Sequence, residues 1–132
     1  MTILAADNVT VRLGGRTILR DISLQAHAGE FIAVIGPNGA GKSTLLSVLA
    51  GLLAPDQGSV MLDAHPLKRL SGAALAKRRA YLPQNPKLEW PLPVERLVAL
   101  GLTPHLPAVG PLPEGFSFAI EQALAACDLL AQ

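Results

Sequence analysis

Hydrophobic and polar positions alternate on both sides of the pair Gly14-Gly15. The flanking stretches, residues 3–13 and 17–26, carry β-branched residues in this alternation, which is typical of strands. Two such stretches joined by a glycine turn predict a β-hairpin. A further strand is predicted over residues 59–63, because Ser-Val-Met-Leu-Asp follows the turn signal Pro-Asp-Gln-Gly.

The pattern then changes from alternation to a continuous apolar run followed by helical spacing. Phe31-Ile32-Ala33-Val34-Ile35 is apolar throughout, which predicts a buried strand. After a glycine-rich loop, residues 42–53 have the apolar-rich pattern of a helix, with Gly51 suited to its C-terminal cap. The order strand, loop, helix predicts an α/β protein.

The second half of the chain predicts short elements separated by proline. We expect a helix over residues 71–78, a strand over 79–82, and helices over 94–100 and 116–130. Ser71 is placed to cap the first of these helices. Prolines are dense from Pro83 to Pro113, so extended loops are predicted on both sides of the helix over residues 94–100.

Composition narrows the class of protein. The 132 residues are enough for one domain at most. The net charge of +1 is uninformative about nucleic acid, but no basic cluster is longer than Lys77-Arg78-Arg79, and we expect no nucleic-acid partner. The single Cys127 excludes an intrachain disulfide and a cysteine metal cluster, and its apolar helix predicts a buried, inert thiol. His27, His65 and His105 lack metal-ligand spacing and are expected at the surface.

No apolar run approaches the ~18 residues of a membrane span, and Met1 leads straight into the first predicted strand, so we expect a soluble, untargeted chain.

The glycine-rich loop carries the strongest chemical signal. It fits the template of Gly, four residues, then Gly-Lys and Ser or Thr, and comprises Gly36, Pro37, Asn38, Gly39, Ala40, Gly41, Lys42, Ser43 and Thr44. Glycines let successive backbone N–H groups turn toward an anion, and the following helix adds the positive end of its dipole. The Lys42 ammonium would reach the β- and γ-phosphates, and the Ser43 hydroxyl would bind Mg²⁺. The loop therefore predicts a nucleoside triphosphate site.

Several further segments, taken with the loop, resemble the ATP-binding subunit of an ATP-binding cassette (ABC) transporter. They are Asp7-Asn8-Val9-Thr10-Val11, Ile18-Leu19-Arg20-Asp21-Ile22-Ser23-Leu24, Gly29-Glu30, Leu49-Ala50-Gly51-Leu52, Pro55-Asp56-Gln57-Gly58 and Tyr81-Leu82-Pro83-Gln84. The resemblance covers residues 3 to about 103. It implies the N-terminal portion of a P-loop NTPase fold, with an antiparallel β subdomain and the start of a helical subdomain. It also implies ATP and Mg²⁺ as ligands.

The resemblance implies roles for two residues outside the loop. Gln84 corresponds to the family's Q-loop glutamine, which senses Mg²⁺ and the γ-phosphate, and so counts as a catalytic and metal-binding residue. Leu13 stands where the family places an aromatic residue against adenine, and an aliphatic side chain there forgoes stacking. The implied organisation is a nucleotide-binding core over residues 1–83 and a helical segment over 84–132.

The resemblance also implies partners and a location. Residues 90–101 and 103–105 are similar to importers of metal chelates such as siderophores, haem and cobalamin. Such a subunit docks on a transmembrane permease, here through residues 84–95, and pairs head-to-tail with a second copy at the cytoplasmic face of the membrane. Trp90 is interpreted either as an anchor of that docking surface or as a core residue. Since the first strand begins at the chain start, we expect no fused membrane domain before it.

Three parts of the family pattern are missing from the sequence: the Leu-Ser-Gly-Gly-Gln signature, an apolar strand ending in Asp-Glu, and a switch histidine after it. Leu70-Ser71-Gly72 begins like the signature but precedes Gln84, and Asp63-Ala64 lacks the glutamate that would orient water. The chain is therefore interpreted as a fragment. The alternatives are another P-loop NTPase or kinase, a nucleotide-binding fragment without activity, or an incomplete gene model.

Overall fold

The computed structural model describes residues 2–84, 91–106 and 114–129, in two compact units, residues 1–75 and 76–132. The strands are β1 (Thr2–Leu13), β2 (Arg16–His27), β3 (Gln57–Leu62) and β4 (His65–Pro66). The helices are α1 (Lys42–Leu49), α2 (Gly72–Ala76), α3 (Val94–Leu100) and α4 (Phe116–Ala126), with 3-10 turns at Leu67–Arg69 and Thr103–His105.

The predicted hairpin is confirmed. β1 and β2 pair antiparallel through a two-residue turn, in which Gly14 and Gly15 both have positive φ, 55° and 76°. A type I′ turn requires positive φ at both central positions, and glycine adopts it without steric cost. The pairing is irregular, with register shifts at four places between Thr2 and Arg12.

The strand predicted over residues 59–63 is also confirmed, as β3, and it extends the hairpin into a four-stranded sheet. β3 pairs antiparallel with β1, and the two-residue β4 pairs antiparallel with β3. The strand order is therefore β2-β1-β3-β4. This is the antiparallel sheet that the family resemblance implied.

The core of the first unit lies between this sheet and α1. Its most buried side chains are Val9 and Val11 of β1 and Val48 of α1. The helix ends at Leu49, and Gly51 follows with φ 67°, so the predicted glycine cap is confirmed although the helix is shorter than the pattern indicated. The 3-10 turn at Leu67–Arg69 adds Leu67 to the same core, and α2 adds Leu75.

The helices predicted later in the chain are present with shorter ends. Ser71 caps α2 through a hydrogen bond that its Oγ accepts from the Ala74 N–H, at 3.2 Å. In the second unit, α3 matches the predicted residues 94–100, and α4 ends at Ala126, before the predicted residue 130. None of the helices within the described ranges has the length and hydrophobicity that a membrane span requires.

Three predictions are wrong. Residues 31–35 and residues 79–82 form no strand, because no described strand pairs with either run and a strand needs the hydrogen bonds of a neighbour. Cys127 is exposed rather than buried, because α4 ends one residue before it and Cys127 lies at the C-terminal cap of that helix.

Candidate functional site

The glycine-rich loop connects residue 35 to α1 and lies in the first unit. Gly39 and Gly41 have φ values of 82° and 87°, a region that residues with a β-carbon rarely adopt. The Ala40 N–H donates to the Pro37 carbonyl at 3.3 Å, and the Leu45 N–H donates to the Gly41 carbonyl at 2.8 Å as the first bond of α1. The loop therefore ends where the helix dipole is positive.

Gly41 is confined by β2 as well as by its backbone angles. A β-carbon at Gly41 would lie 2.9 Å from Leu19 Cδ2 and 3.1 Å from the Ile18 carbonyl oxygen. Such contacts require the neighbour to move, and one of them is backbone. Ile18 and Leu19 therefore support the loop, a role that sequence reasoning missed because their alternation indicated only a strand.

Gly41 is also the N-cap of α1, and no side chain caps the helix. The first N–H groups of a helix have no partner within it. Without a capping side chain, these donors are available to an anion. The loop and the start of α1 thus have the backbone geometry that a phosphate site needs.

Lys42 supplies a positive charge that is held over the loop. Its Nζ donates hydrogen bonds to the carbonyl oxygens of Gly36, at 2.7 Å, and Pro37, at 2.8 Å. An ammonium has three donors, so one remains for a phosphate oxygen. Within the described ranges, no carboxylate forms an ion pair with Lys42. Its charge is therefore not neutralised by the chain.

Ser43 is the residue whose hydroxyl fits a magnesium ion. It is exposed in the first turn of α1, and its hydroxyl makes no hydrogen bond to any described residue. Mg²⁺ prefers oxygen ligands and keeps several waters, so one hydroxyl beside a triphosphate suits it. Across residues 2–84, 91–106 and 114–129, no group of three or more His, Cys, Asp and Glu side chains could hold a metal alone.

Leu13 and Gln84 lie in different units. Leu13 is the last residue of β1, pairs with Arg16 and is 45% exposed, so its side chain is accessible at the hairpin end of the sheet. Gln84 is exposed in the second unit. The roles of both residues stay predictions, as do those of the loop residues. Trp90 and most of the docking segment 84–95 lie outside the described residues.

The turn before the loop is held by contacts between Glu30 and His27. The Glu30 carboxylate accepts a hydrogen bond from the His27 backbone N–H at 2.7 Å and lies 3.2 Å from His27 Nδ1. The first contact is the largest cause that lowers the pKa of Glu30 below its usual 4.5. This turn fixes the start of residues 31–35. His65 and His105 are exposed, as predicted.

Comparison with known proteins identifies related sequences. Residues 19–126 match the family model described as ABC transporter. The hemin import ATP-binding protein of Pseudomonas aeruginosa is 46% identical over 103 residues, which are 78% of this chain and 40% of that protein. The protein of the same name from Thermobifida fusca is 46% identical over 102 residues, 77% of this chain and 36% of its own. The chain thus spans about 40% of the length of the curated relatives it matches.

Solved structures give the same relationship. An ATP-binding subunit of an ABC transporter superposes with a TM-score of 0.70 at 27% identity, over 78% of this chain and 42% of that one. An ATP-binding cassette, solved as a dimer in a post-hydrolysis state with ADP and Pi, superposes with a TM-score of 0.77 at 25% identity. The second match covers 96% of this chain and 57% of the other.

Proposed function

Since the chain belongs to the ABC transporter family, we propose that it is the phosphate-binding portion of an ATP-binding subunit that drives import of hemin or a similar metal chelate. The names of the relatives support a role in import. The geometry of the loop around Lys42 supports the binding of a nucleotide. The observation that carries the proposal is an ammonium held at 2.7 and 2.8 Å from two loop carbonyls with one donor left.

In this proposal, the chain's own residues bind and orient the triphosphate. The N–H groups of the loop and the first turn of α1 bind the phosphate oxygens, and the third donor of Lys42 bridges to one of them. Mg²⁺, held through Ser43, would offset the charge of the β- and γ-phosphates. Leu13 would cover one face of adenine, and Gln84 would sense the γ-phosphate and the metal.

The remaining proposals concern the longer protein. A transmembrane permease subunit would dock near residues 84–95, and a second ATPase subunit would pair head-to-tail. The complex would lie at the cytoplasmic face of the membrane. The functional boundary between core and helical segment is proposed at residues 83 and 84. For the 132-residue chain alone, we propose binding of nucleotide without turnover, because the water-orienting glutamate and the signature loop are absent from its sequence.

Titration of the purified chain with Mg·ATP tests this proposal. Lys42→Ala should weaken binding by about 10-fold to 100-fold, the value of one or two charge-assisted hydrogen bonds. The control is Lys68→Ala, an exposed lysine of the 3-10 turn, which should leave the affinity unchanged. Equal affinities for the two variants would contradict the assignment of Lys42.

A hydrolysis assay tests the second half of the proposal. We expect no steady-state release of phosphate above that of Lys42→Ala, because that variant reports contaminating activity. Turnover at a rate typical of ATPases, about 1 s⁻¹ or more, which disappears in Lys42→Ala, would show that the chain is a complete enzyme.

A further inference from the structure

The face of the antiparallel sheet that points away from α1 carries a polar cavity. Thr10 and Arg12 of β1 alternate with the core residues Val9 and Val11, so they lie on the opposite face of that strand. The cavity has a volume of about 520 Å³, within the range of about 300 to 1,000 Å³ that is usual for small-molecule sites. No residue of the glycine-rich loop lines it. The polar side chains around it include those of Thr10, Arg12, Thr17, Arg20, Asp21 and Gln57.

Irregular pairing of β1 and β2 shapes this cavity. Asn8 and Asp21, which both line it, have φ values of 48° and 52°, where residues with a β-carbon are uncommon. Asn8 lies at the register shift between Ala6 and Val9, and Asp21 lies opposite the shift between Val9 and Val11. Bulges re-aim side chains and are frequent beside functional sites, where backbone strain is retained. The cavity is therefore built by the backbone as well as by exposed side chains.

Thr10 lines the cavity with a buried hydroxyl group. Its side chain belongs to a residue that is only 8% exposed. The Thr10 Oγ1 accepts a hydrogen bond from the Asp21 N–H at 3.1 Å, and its own proton is donated to no described residue. A hydroxyl group has one donor, and leaving a buried donor without an acceptor costs free energy. An oxygen bound in the cavity would satisfy it.

Two arginines give the cavity its charge. Within residues 2–84, 91–106 and 114–129, the guanidinium groups of Arg12 and Arg20 form no ion pair and no hydrogen bond. Asp21 is the carboxylate of the lining, so two cations face one anion and the lining keeps a net positive charge. A guanidinium group binds the oxygens of an oxyanion through paired N–H donors. The cavity therefore suits an anion.

The charge and the donors favour phosphate over carboxylate. A phosphate monoester carries a charge of about −2 near neutral pH and has three free oxygens. These features match the two guanidinium groups and the three donor groups formed by Arg12, Arg20 and Thr10. A carboxylate offers one charge and two oxygens, so it would leave part of the site unmatched.

We propose that the cavity binds a soluble phosphate monoester that also carries a hydroxyl group. The phosphate would contact Arg12, Arg20 and the Thr10 hydroxyl. The ligand's own hydroxyl would donate to the Asp21 carboxylate, which repels the phosphate itself. The proposal involves neither ATP nor Lys42, so its failure would leave the proposed function intact.

Amide NMR titration of the 132-residue chain with glycerol 3-phosphate and with inorganic phosphate tests this proposal. We expect shifts at Thr10, Asp21 and Gln57 that saturate with a dissociation constant of about 1 mM or below for glycerol 3-phosphate, and several-fold higher for inorganic phosphate. Raising the ionic strength from about 0.1 to 1 M should weaken both, because charge attraction is screened. Lys42→Ala should remove any shifts of residues 36–44 and leave those of the cavity.

Matched variants test the two arginines. Arg12→Ala and Arg20→Ala should each weaken the binding of glycerol 3-phosphate by about 10-fold, since each removes charge-assisted hydrogen bonds. The control is Arg16→Ala, which removes an exposed arginine of β2 outside the lining and should keep the wild-type affinity. All three side chains are exposed, so the spectrum of each free variant should otherwise match that of the wild type.

The Asp21 carboxylate gives a test of opposite sign. Asp21→Asn should tighten the binding of inorganic phosphate by about 3-fold or more, because a like charge is removed. Asparagine tolerates positive φ, so the backbone at this position should be retained. The gain should be smaller for glycerol 3-phosphate, whose hydroxyl loses a charged acceptor.

Three results would overturn the proposal. One is a set of shifts confined to residues 36–44 with both ligands. Another is an equal loss of affinity in Arg16→Ala and Arg12→Ala, which would show attraction to positive charge in general. The third is binding of the chain to phosphatidic acid vesicles through Arg12 and Arg20 without binding of glycerol 3-phosphate, since the ligand would then be a membrane surface.

Discussion

Residues 9–11 of β1 and residues 31–35 have similar strand-forming sequences but opposite environments. Val9 and Val11 are 0% and 1% exposed, whereas Phe31 and Ile35 are more than nine-tenths exposed. The first segment has β2 and β3 on its two sides, and the second pairs with no strand among the described residues. Burial of a strand is thus decided by the strands beside it, not by its own hydrophobicity.

The largest effect should come from placing the same charge in both segments. Val9→Asp buries an unpaired carboxylate in the core and should lower the free energy of unfolding by about 4 kcal/mol or more, enough to unfold a marginal domain. Phe31→Asp should change it by less than about 0.5 kcal/mol. Urea denaturation followed by circular dichroism measures both. Similar losses in the two variants would mean that residues 31–35 are buried in solution.

A smaller effect is expected where the glycine-rich loop packs against β2. Gly41→Ala combines an unfavourable positive φ with a contact of 2.9 Å to Leu19, and should cost about 2 to 3 kcal/mol of stability. Gly14→Ala is the matched control, since Gly14 also has positive φ but nothing within 4 Å of its added β-carbon. It should cost about 1 kcal/mol. Equal unfolding midpoints for the two variants would contradict the supporting role of β2.

An effect of about 1 kcal/mol is expected at the hairpin end of the sheet. Leu13→Tyr adds a ring that can stack on adenine and should tighten ATP binding several-fold, with a smaller gain for a triphosphate without a base. Leu52→Tyr is the control for a general effect of an added aromatic side chain. Calorimetric titration with both ligands measures the difference. An equal gain in affinity for both ligands would mean that adenine does not bind against residue 13.

The smallest effect concerns the turn that precedes the exposed run. The pKa of Glu30 is lowered in the folded chain. Its carboxylate therefore stabilises the fold above pH 4.5, and this stabilisation is lost as the pH falls through the folded pKa. Carbon-13 NMR of the Glu30 carboxyl should give a midpoint below 4.5. Because the His27 backbone N–H is the largest cause, His27→Ala should retain most of the lowering. A return to 4.5 in that variant would assign the effect to the imidazole ring.

The sequence predicted best where the deciding contacts are local. The Gly14-Gly15 turn and the Ser71 cap depend on residues a few positions apart, and α3 was predicted with its observed ends. Residues 31–35 were predicted wrongly as a buried strand because an apolar run does not show whether another strand pairs with it, and no described strand does. In the candidate site, the template identified the loop and Lys42, but the support from Ile18 and Leu19 depends on a contact across more than twenty residues.

Both border strands of the antiparallel sheet have features that disfavour the addition of a further strand. At one border, β4 has only two residues and the second is Pro66, which has no N–H to donate. At the other, β2 pairs with β1 in an irregular register and carries the charges of Arg16 and Arg20. Aggregation of the isolated chain should therefore begin at residues 31–35, and a single charge in that run should raise solubility more than the same charge on β2.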